Sequence, residues 1–471
     1  MDNFILNTDS YKATHWKQLP EGTTRFISYL ESRGGKFNET LFFGLQYILK
    51  KHFCGVRVTK ENIDQAEAFW KLHFGNDHFN RKGWERIVEV HGGKIPLRIK
   101  AVAEGTVVPV SNVLMTIENT DMELPWLTNY AETLLMEIWY PVTVGTNSMM
   151  CKRLIKKYLD ETGDSSGLGF KLHDFGFRGV TCKEQAAIGG MSHLISFMGT
   201  DTTAGIICAM EYYGSGLANS LDQQKMYGFS VPASEHSTIT SWGRENEVKA
   251  FENMLKQYPV GTFACVSDSY NIYDACSELW GTQLREKVIN HNGTTVIRPD
   301  SGHPPEVLSR ILDILWNKFG GDWTNGYKLL TPKVRIIQGD GIDYEMIEEI
   351  LQMMKNKQFS ADNIVFGSGG GLLQKFDRDT QKFAIKCSYA EVNGESVNVY
   401  KDPITSSGKV SKKGKLKLHG VGKDFTTLSS ADMSPEQFNG YIDRLETVFE
   451  NGELVKEYTF EEIRETANSF L

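Results

Sequence analysis

From residue 170 onward the chain alternates short apolar runs with helix-length amphipathic segments, and this rhythm constrains the fold more than any other feature of the sequence. Parallel strands need long crossover connections, so such alternation predicts strands laid side by side with helices outside them. The apolar runs end in polar text. In order these ends read His173-Asp174-Phe175-Gly-Phe-Arg178, Gly199-Thr-Asp201-Thr, Ala233-Ser-Glu235-His236-Ser-Thr, Ser267-Asp268-Ser-Tyr270, Arg298-Pro-Asp300-Ser-Gly302, Gln338-Gly339-Asp340-Gly341 and Gly367-Ser-Gly369-Gly370-Gly371. Taken singly such an end is more often a helix cap, and Asp201 or Ser237 alone reads as one. Together they predict a shared site, because ligands of α/β barrels and open sheets bind at the carboxyl ends of the strands.

The last of these ends has the clearest chemistry. Asn363 to Phe366 reads as a strand, Gly367 to Gly371 as a turn and Leu372 onward as a helix start. Glycines let backbone N–H groups approach an anion, and a helix start adds unpaired donors, so this is a phosphate cradle in outline. A lone cluster of this kind serves about as often as a plain turn. Arg178, Arg298, Arg378 and Lys386 suit more than one phosphate group, since guanidinium forks match phosphate oxygens. Asp268, Asp300 and Asp340 would suit ribose hydroxyls or Mg²⁺-bound water, but no carboxylate pair has a fixed ligand interval, which leaves metal ligands unassigned. Phe175 and Tyr11 are candidates to stack on a planar ring, although each could equally be core. No G-x-x-x-x-G-K-[ST], G-x-S-x-G or H-E-x-x-H occurs, which argues against P-loop, α/β-hydrolase and zincin chemistry.

Before residue 170 the text is mixed. Asp9 or Ser10 can cap a helix, residues 25 to 31 read as a strand, and helices are expected at about 39 to 53, 60 to 73, 123 to 139 and 147 to 160. Residues 96 to 118 read as a small antiparallel sheet, and 162 to 167 as a linker. After residue 383 strands return, followed by a Lys-rich stretch from 401 to 417 that contains Lys409 and reads as a solvated loop. The expected division is 1–165, the N-terminal part of a flanking β-rich domain with connecting helices, 166–384, a central barrel, and 385–471, the C-terminal part of the flanking domain. The net charge of −8 argues against a general nucleic-acid or acidic-membrane footprint, so any bound anion must be held by local cations. Seven scattered cysteines without a C-x-x-C pair read as reduced thiols. With no leader-like start and no 18-residue apolar run, the expectation is a cytoplasmic protein.

The ordered set Thr8-Asp9-Ser-Tyr11-Lys-x-Thr-His15, Lys171 to Gly179, Gly199 to Thr202, Glu235 to Thr240, Ser267 to Tyr270, Ile297 to Gly302, Gln338 to Gly341 and Phe366 to Lys375 closely resembles the nicotinamide phosphoribosyltransferase family of type II phosphoribosyltransferases. The resemblance runs from about residue 5 to about residue 465. It implies an irregular α/β barrel flanked by a β-rich α+β domain built from both chain ends, working as a homodimer with sites at the interface. The implied reaction joins nicotinamide to phosphoribosyl pyrophosphate, with Mg²⁺, giving nicotinamide mononucleotide and pyrophosphate, a step of NAD salvage.

By the same resemblance, Phe175 and the partner subunit's Tyr11 sandwich the pyridine ring, with Arg298 and Asp9 in the same pocket, and Asp201 accepts from the carboxamide. Asp300, Gly339 and Asp340 hold the ribose. Arg178, Gly369, Gly370, Arg33, Arg378, Lys386 and Lys409 take the phosphates, partly across the dimer interface. His236 is phosphorylated by ATP, whose hydrolysis favours product, with Glu235 and Asp268 orienting the imidazole. Two departures stand out: Ala264 and Ala384 occupy places where small hydroxyl residues are expected, and Gly214 to Tyr227 is a longer insertion than expected. The alternatives are a nicotinate phosphoribosyltransferase, a barrel enzyme acting on a phosphosugar, and a non-catalytic nucleotide sensor on the same scaffold. The phosphosugar reading lacks a central strand-end lysine for a Schiff base.

Overall fold

The computed structural model describes residues 3–214, 225–405 and 410–471. The chain divides into two compact units, one made of residues 1–146, 211–216 and 376–470, the other of residues 147–210, 217–375 and 471.

The second unit carries a five-stranded sheet in the order Leu172–Asp174, Ile364–Ser368, Val334–Gln338, Asn292–Arg298, Val260–Val266. Every neighbouring pair in it is parallel. Beyond its edges single parallel bridges continue the pattern, from Asp174 to Thr200, from Gly199 to Phe229 and from Ala233 to Ala264. Phe229 and Ala233 are close in the chain, so the bridges lead from one edge round towards the other. The alternating sequence predicts the parallel strands, and the resemblance implies the irregular α/β barrel into which they curl. Side chains alternate across a strand, and the inward set Ala264, Val296 and Ile337 forms one buried cluster with Phe175 and Val365 packed against it. Outside lie amphipathic helices such as Pro304–Phe319 and Tyr344–Asn356, whose apolar stripes are buried.

The first unit is built on a seven-stranded antiparallel sheet in the order Glu395–Asn398, Phe383–Val392, Thr23–Ser32, Val113–Asn119, Leu97–Ala101, Glu446–Glu450, Glu453–Leu454. Its longest pairing joins Thr23–Ser32 to Phe383–Val392, so both ends of the chain build one sheet, as expected.

Several elements differ from the sequence expectation. Residues 39 to 53 split into a strand, Glu39–Leu41, and a helix, Leu45–His52, because Glu39 to Leu41 pair with Val107 to Pro109. The helix expected at 123–139 breaks into two short helices, Leu127–Tyr130 and Glu132–Met136, and the one expected at 147–160 starts earlier, as part of Trp139–Thr162. Pro141 falls in its first turn, where a missing N–H costs nothing. The second compact unit begins inside this helix at Asn147 and its main stretch ends at Lys375. Tyr158 and Thr162 bond to Gln352 and Ala361 of the second unit, whereas residues 383 to 392 are sheet partners of the first. Ser10–Lys17 is a 3₁₀ helix that Asp9 does not cap, since the Asp9 carboxylate accepts from Thr133 Oγ1 at 2.8 Å.

In the first unit a buried carboxylate holds the start of Leu45–His52. Glu104 Oε1 accepts from the N–H of Gln46 at 2.7 Å and Oε2 from that of Gly44 at 3.2 Å. Burial pushes its carboxyl up to about 7, against the pull of these hydrogen bonds. Glu104→Gln would turn an NH₂ towards one of the two donors, and is expected to cost about 1–3 kcal/mol in urea unfolding at pH 8. An unchanged unfolding midpoint would refute this role.

Candidate active site

The carboxyl ends of the barrel strands gather the residues the sequence marks. Phe175 follows Leu172–Asp174, Asp268 follows Val260–Val266, and Asp300 follows Asn292–Arg298. Gly339 and Asp340 follow Val334–Gln338, and Gly369 follows Ile364–Ser368. Asp201 and Glu235 lie just past the bridge residues Thr200 and Ala233. Backbone hydrogen bonds tie these ends together: Phe175 N–H to Ser368 O, Asp201 N–H to Asp174 O, and Ser267 N–H to Arg298 O.

Phe175 owes its place to glycine. A Cβ on Gly367 would lie 2.0 Å from Phe175 Cε2, and one on Gly339 would lie 3.2 Å from the same atom. The ring therefore rests against two strand ends that carry no side chains, with the Ala264, Val296 and Ile337 cluster beneath. The sequence marks Gly367 only as the first residue of the glycine turn, not as a neighbour of Phe175. Its role depends on which residue faces Phe175 across the Gly367–His173 register, which a local pattern cannot show.

The glycine loop itself is tighter than expected. Only Gly370–Leu373 is helical, so a long helix dipole is absent and the candidate donors are backbone N–H groups of one turn. Gly370 is open, with nothing within 4 Å of an added Cβ, and a Cβ on Gly179, beside exposed Arg178, would lie 3.9 Å from the Gly370 nitrogen. The backbone next to Arg178 thus lies near the start of the Gly370 turn.

Asp201 is held from two sides. Ser230 donates its hydroxyl to Asp201 Oδ1, and His173 Nε2 stands 3.1 Å from the same oxygen. The His173 contact is close enough for an ion pair but too bent for a full hydrogen bond. Burial pushes the Asp201 carboxyl up, yet His173, Ser230 and the charge on Arg298 outweigh it and hold the group below the usual range. Asp201 is therefore anionic at neutral pH.

A second cluster surrounds His236. Its Nε2 is 3.0 Å from Asp268 Oδ1, while Asp268 Oδ2 accepts from Asp300 N–H at 3.0 Å and from Ser301 Oγ at 2.6 Å. The His236 side chain is 45% exposed and that of Asp268 only 4%, so a fixed carboxylate anchors a reachable imidazole. Asp268 thus holds the His236 ring on one side, and Ser301 and the Asp300 N–H hold Asp268 in turn. Glu235 makes its contacts elsewhere. It accepts from the Ser237 hydroxyl and donates its N–H to Thr238 Oγ1 at 3.3 Å, so it braces the short helix His236–Thr240 rather than the imidazole. The reason is spacing, since a residue at the helix start reaches the turn that follows. Burial pushes the Asp300 carboxyl up, Asp268 and Asp340 adding to it and Arg298 and His236 opposing it.

The remaining marked residues belong to the first unit. Tyr11 is 57% exposed, with His15 edge-on at 4.8 Å, and Asp9 is engaged by Thr133. Burial lowers the affinity of Lys386 for its proton, as do Arg33, Lys401 and Arg378, against the pull of Glu132. These cations form one group, which adds Lys401 to the residues marked from sequence. Lys409 and most of the Gly214–Tyr227 insertion lie outside the described residues. Ala264 is core and Ala384 is buried in the first unit's sheet.

A family model for the nicotinate phosphoribosyltransferase (NAPRTase) family matches residues 170–453, and one for the N-terminal domain of nicotinamide phosphoribosyltransferase matches residues 3–99. The chain belongs to the nicotinate phosphoribosyltransferase family. Within this family it is 48% identical over 477 residues to a nicotinamide phosphoribosyltransferase of Xanthomonas campestris pv. campestris, covering 100% of this chain and 99% of that protein. A nicotinamide phosphoribosyltransferase of Acinetobacter baylyi is 33% identical over 495 residues, covering 97% and 95%. Among solved structures, the nicotinate-nucleotide pyrophosphorylase of Pyrococcus furiosus shares the fold of this NAPRTase-family chain at TM-score 0.59 and 15% identity, covering 99% and 95%. Human nicotinic acid phosphoribosyltransferase does so at TM-score 0.55 and 14% identity, covering 98% and 93%. No helix among the described residues is long and apolar enough to cross a membrane.

Proposed function

We propose that this protein is a nicotinamide phosphoribosyltransferase, joining nicotinamide to phosphoribosyl pyrophosphate to give nicotinamide mononucleotide and pyrophosphate in NAD salvage. The observation that carries the reading is Asp201, an anionic carboxylate near a half-buried aromatic ring at the carboxyl end of a parallel barrel. A carboxylate accepts from the NH₂ of a carboxamide and repels the carboxylate of nicotinate. Phe175 supplies a face for the pyridine ring, and the partner subunit's Tyr11 would supply the other in a homodimer. Arg178, Gly369 and Gly370 suit the phosphates, and Asp300, Gly339 and Asp340 suit the ribose. Arg33, Arg378 and Lys386 are candidates for phosphate contacts from a neighbouring subunit.

Displacement at the anomeric carbon builds positive charge on the sugar, so the protein's task is to position two partners and stabilise the leaving pyrophosphate. The ring nitrogen of nicotinamide attacks unaided. Among the described residues no three His, Cys, Asp or Glu side chains form a metal cage. A Mg²⁺ would therefore be held mainly by pyrophosphate oxygens, with Asp300 and Asp340 the carboxylates suited to complete its shell. ATP would act as a co-substrate at His236. With Nε2 turned to Asp268, Nδ1 is the nitrogen with a lone pair for a phosphoryl group, and the exposure of the ring gives it access.

The test is turnover with phosphoribosyl pyrophosphate and Mg²⁺, offering nicotinamide or nicotinate, with and without ATP. Nicotinamide mononucleotide is expected, with nicotinate a poor substrate and ATP raising turnover. Asp268→Asn is expected to cut the ATP-dependent increment about tenfold or more, because it loosens the imidazole. Turnover of nicotinate alone would overturn the amide reading of Asp201. An Asp268→Asn enzyme with full ATP stimulation would remove His236 from the reaction.

A further inference from the structure

We infer that His173 is a positioning residue that sets the preference for an uncharged over an anionic ring substituent, acting through Asp201. The inference rests on the reaction proposed above and deepens it by naming what aims its selector.

His173 lies on Leu172–Asp174, with its side chain 12% exposed. The ring is confined. A Cβ on Gly199 would lie 2.8 Å from its Nδ1, so the imidazole lies close against bare backbone, and the Phe175 ring centre is 5.0 Å away. From that position Nε2 reaches Asp201 Oδ1 at 3.1 Å, and Ser230 reaches the same oxygen. Among the described residues both side-chain contacts fall on Oδ1, so Oδ2 is the oxygen left to accept from a ligand.

The consequence is physical. An unrestrained aspartate turns broadly about its last torsion, and its two oxygens exchange places. Two groups on one oxygen fix the carboxylate plane, and a fixed acceptor loses less entropy when an amide N–H arrives. His173 also favours the ionised form of Asp201, which sustains the repulsion of an anionic ring. Gly199 matters for the same reason, because any side chain there would push the imidazole off this line.

Two variants separate positioning from packing. His173→Phe keeps a flat ring against Gly199 and Phe175 but loses the N–H, whereas His173→Gln can place an amide N–H close to the Nε2 position. With His173→Phe, kcat/KM for nicotinamide is expected to fall about tenfold or more while that for nicotinate holds or rises, and His173→Gln should stay within about threefold of wild type. An unchanged nicotinamide-to-nicotinate ratio in His173→Phe, or equal losses in both variants for both rings, would overturn the inference while leaving the reaction intact. A wild type that turns over neither ring would instead overturn the reaction. His173 is then judged by calorimetric titration with nicotinamide, where His173→Phe alone should weaken affinity about tenfold, and equal affinity in wild type and variant would refute it.

Discussion

Asp201→Ser should lower kcat/KM for nicotinamide by about 10- to 100-fold, the loss of one charge-assisted hydrogen bond, and raise that for nicotinate. The direction follows from charge. Burial alone would push the Asp201 carboxyl towards neutrality, and a neutral acid would not discriminate against nicotinate. His173, Ser230 and Arg298 reverse that tendency, so Asp201 keeps its negative charge across the neutral range, and in the proposed site that charge would face the ring substituent. Removing it leaves Arg298 as the dominant charge, which favours an anionic ring. Asp201→Asn divides the effect, since it keeps the shape and removes only the charge. Steady-state kinetics with both rings would decide the matter, and a nicotinamide-to-nicotinate ratio within threefold of wild type in Asp201→Ser would remove Asp201 as selector.

Gly367→Ala is expected to be as damaging, although Gly367 carries no functional group. The added Cβ would stand 2.0 Å from Phe175 Cε2, far inside contact distance. The ring has little room to yield, because the buried Ala264, Val296 and Ile337 cluster lies against it and Gly339 already approaches it. Accommodating the methyl means turning Phe175 out of its place or opening the strand end. Displacement of a substrate platform by about 1 Å can cost about 100-fold in rate, and overpacking costs about 1–3 kcal/mol of stability. Both kcat/KM and Tm should therefore fall, and a variant within threefold of wild-type activity would show that Phe175 is not fixed by this contact. Phe175→Ala combined with Gly367→Ala should recover the Tm but not the activity.

The contrast between these two residues shows how much was legible beforehand. Asp201, Asp268, Asp300, Asp340 and Gly369 each sit in a short run where apolar text gives way to polar text, and a parallel strand must deliver its last residues to the same end as its neighbours. Their gathering followed from local pattern plus topology. The contacts of Glu235 were not legible in this way: next to His236 in sequence, it turns back to the start of its own helix, because side chains one residue apart diverge.

The sequence by itself determined the barrel rhythm, the set of polar strand ends, the two-ended construction of the antiparallel sheet and the family to which the chain belongs. These are written in periodicity and in motifs whose residues are chain neighbours. Only the tertiary structure decided that Gly367 faces Phe175, that His173 and Ser230 share one oxygen of Asp201, that Ser301 completes the Asp268 anchor, and that Glu104 holds a helix from inside the core. Each of these is a meeting of residues from separate elements. Strand register and the close approach of backbones set such meetings, and no local stretch of sequence encodes them.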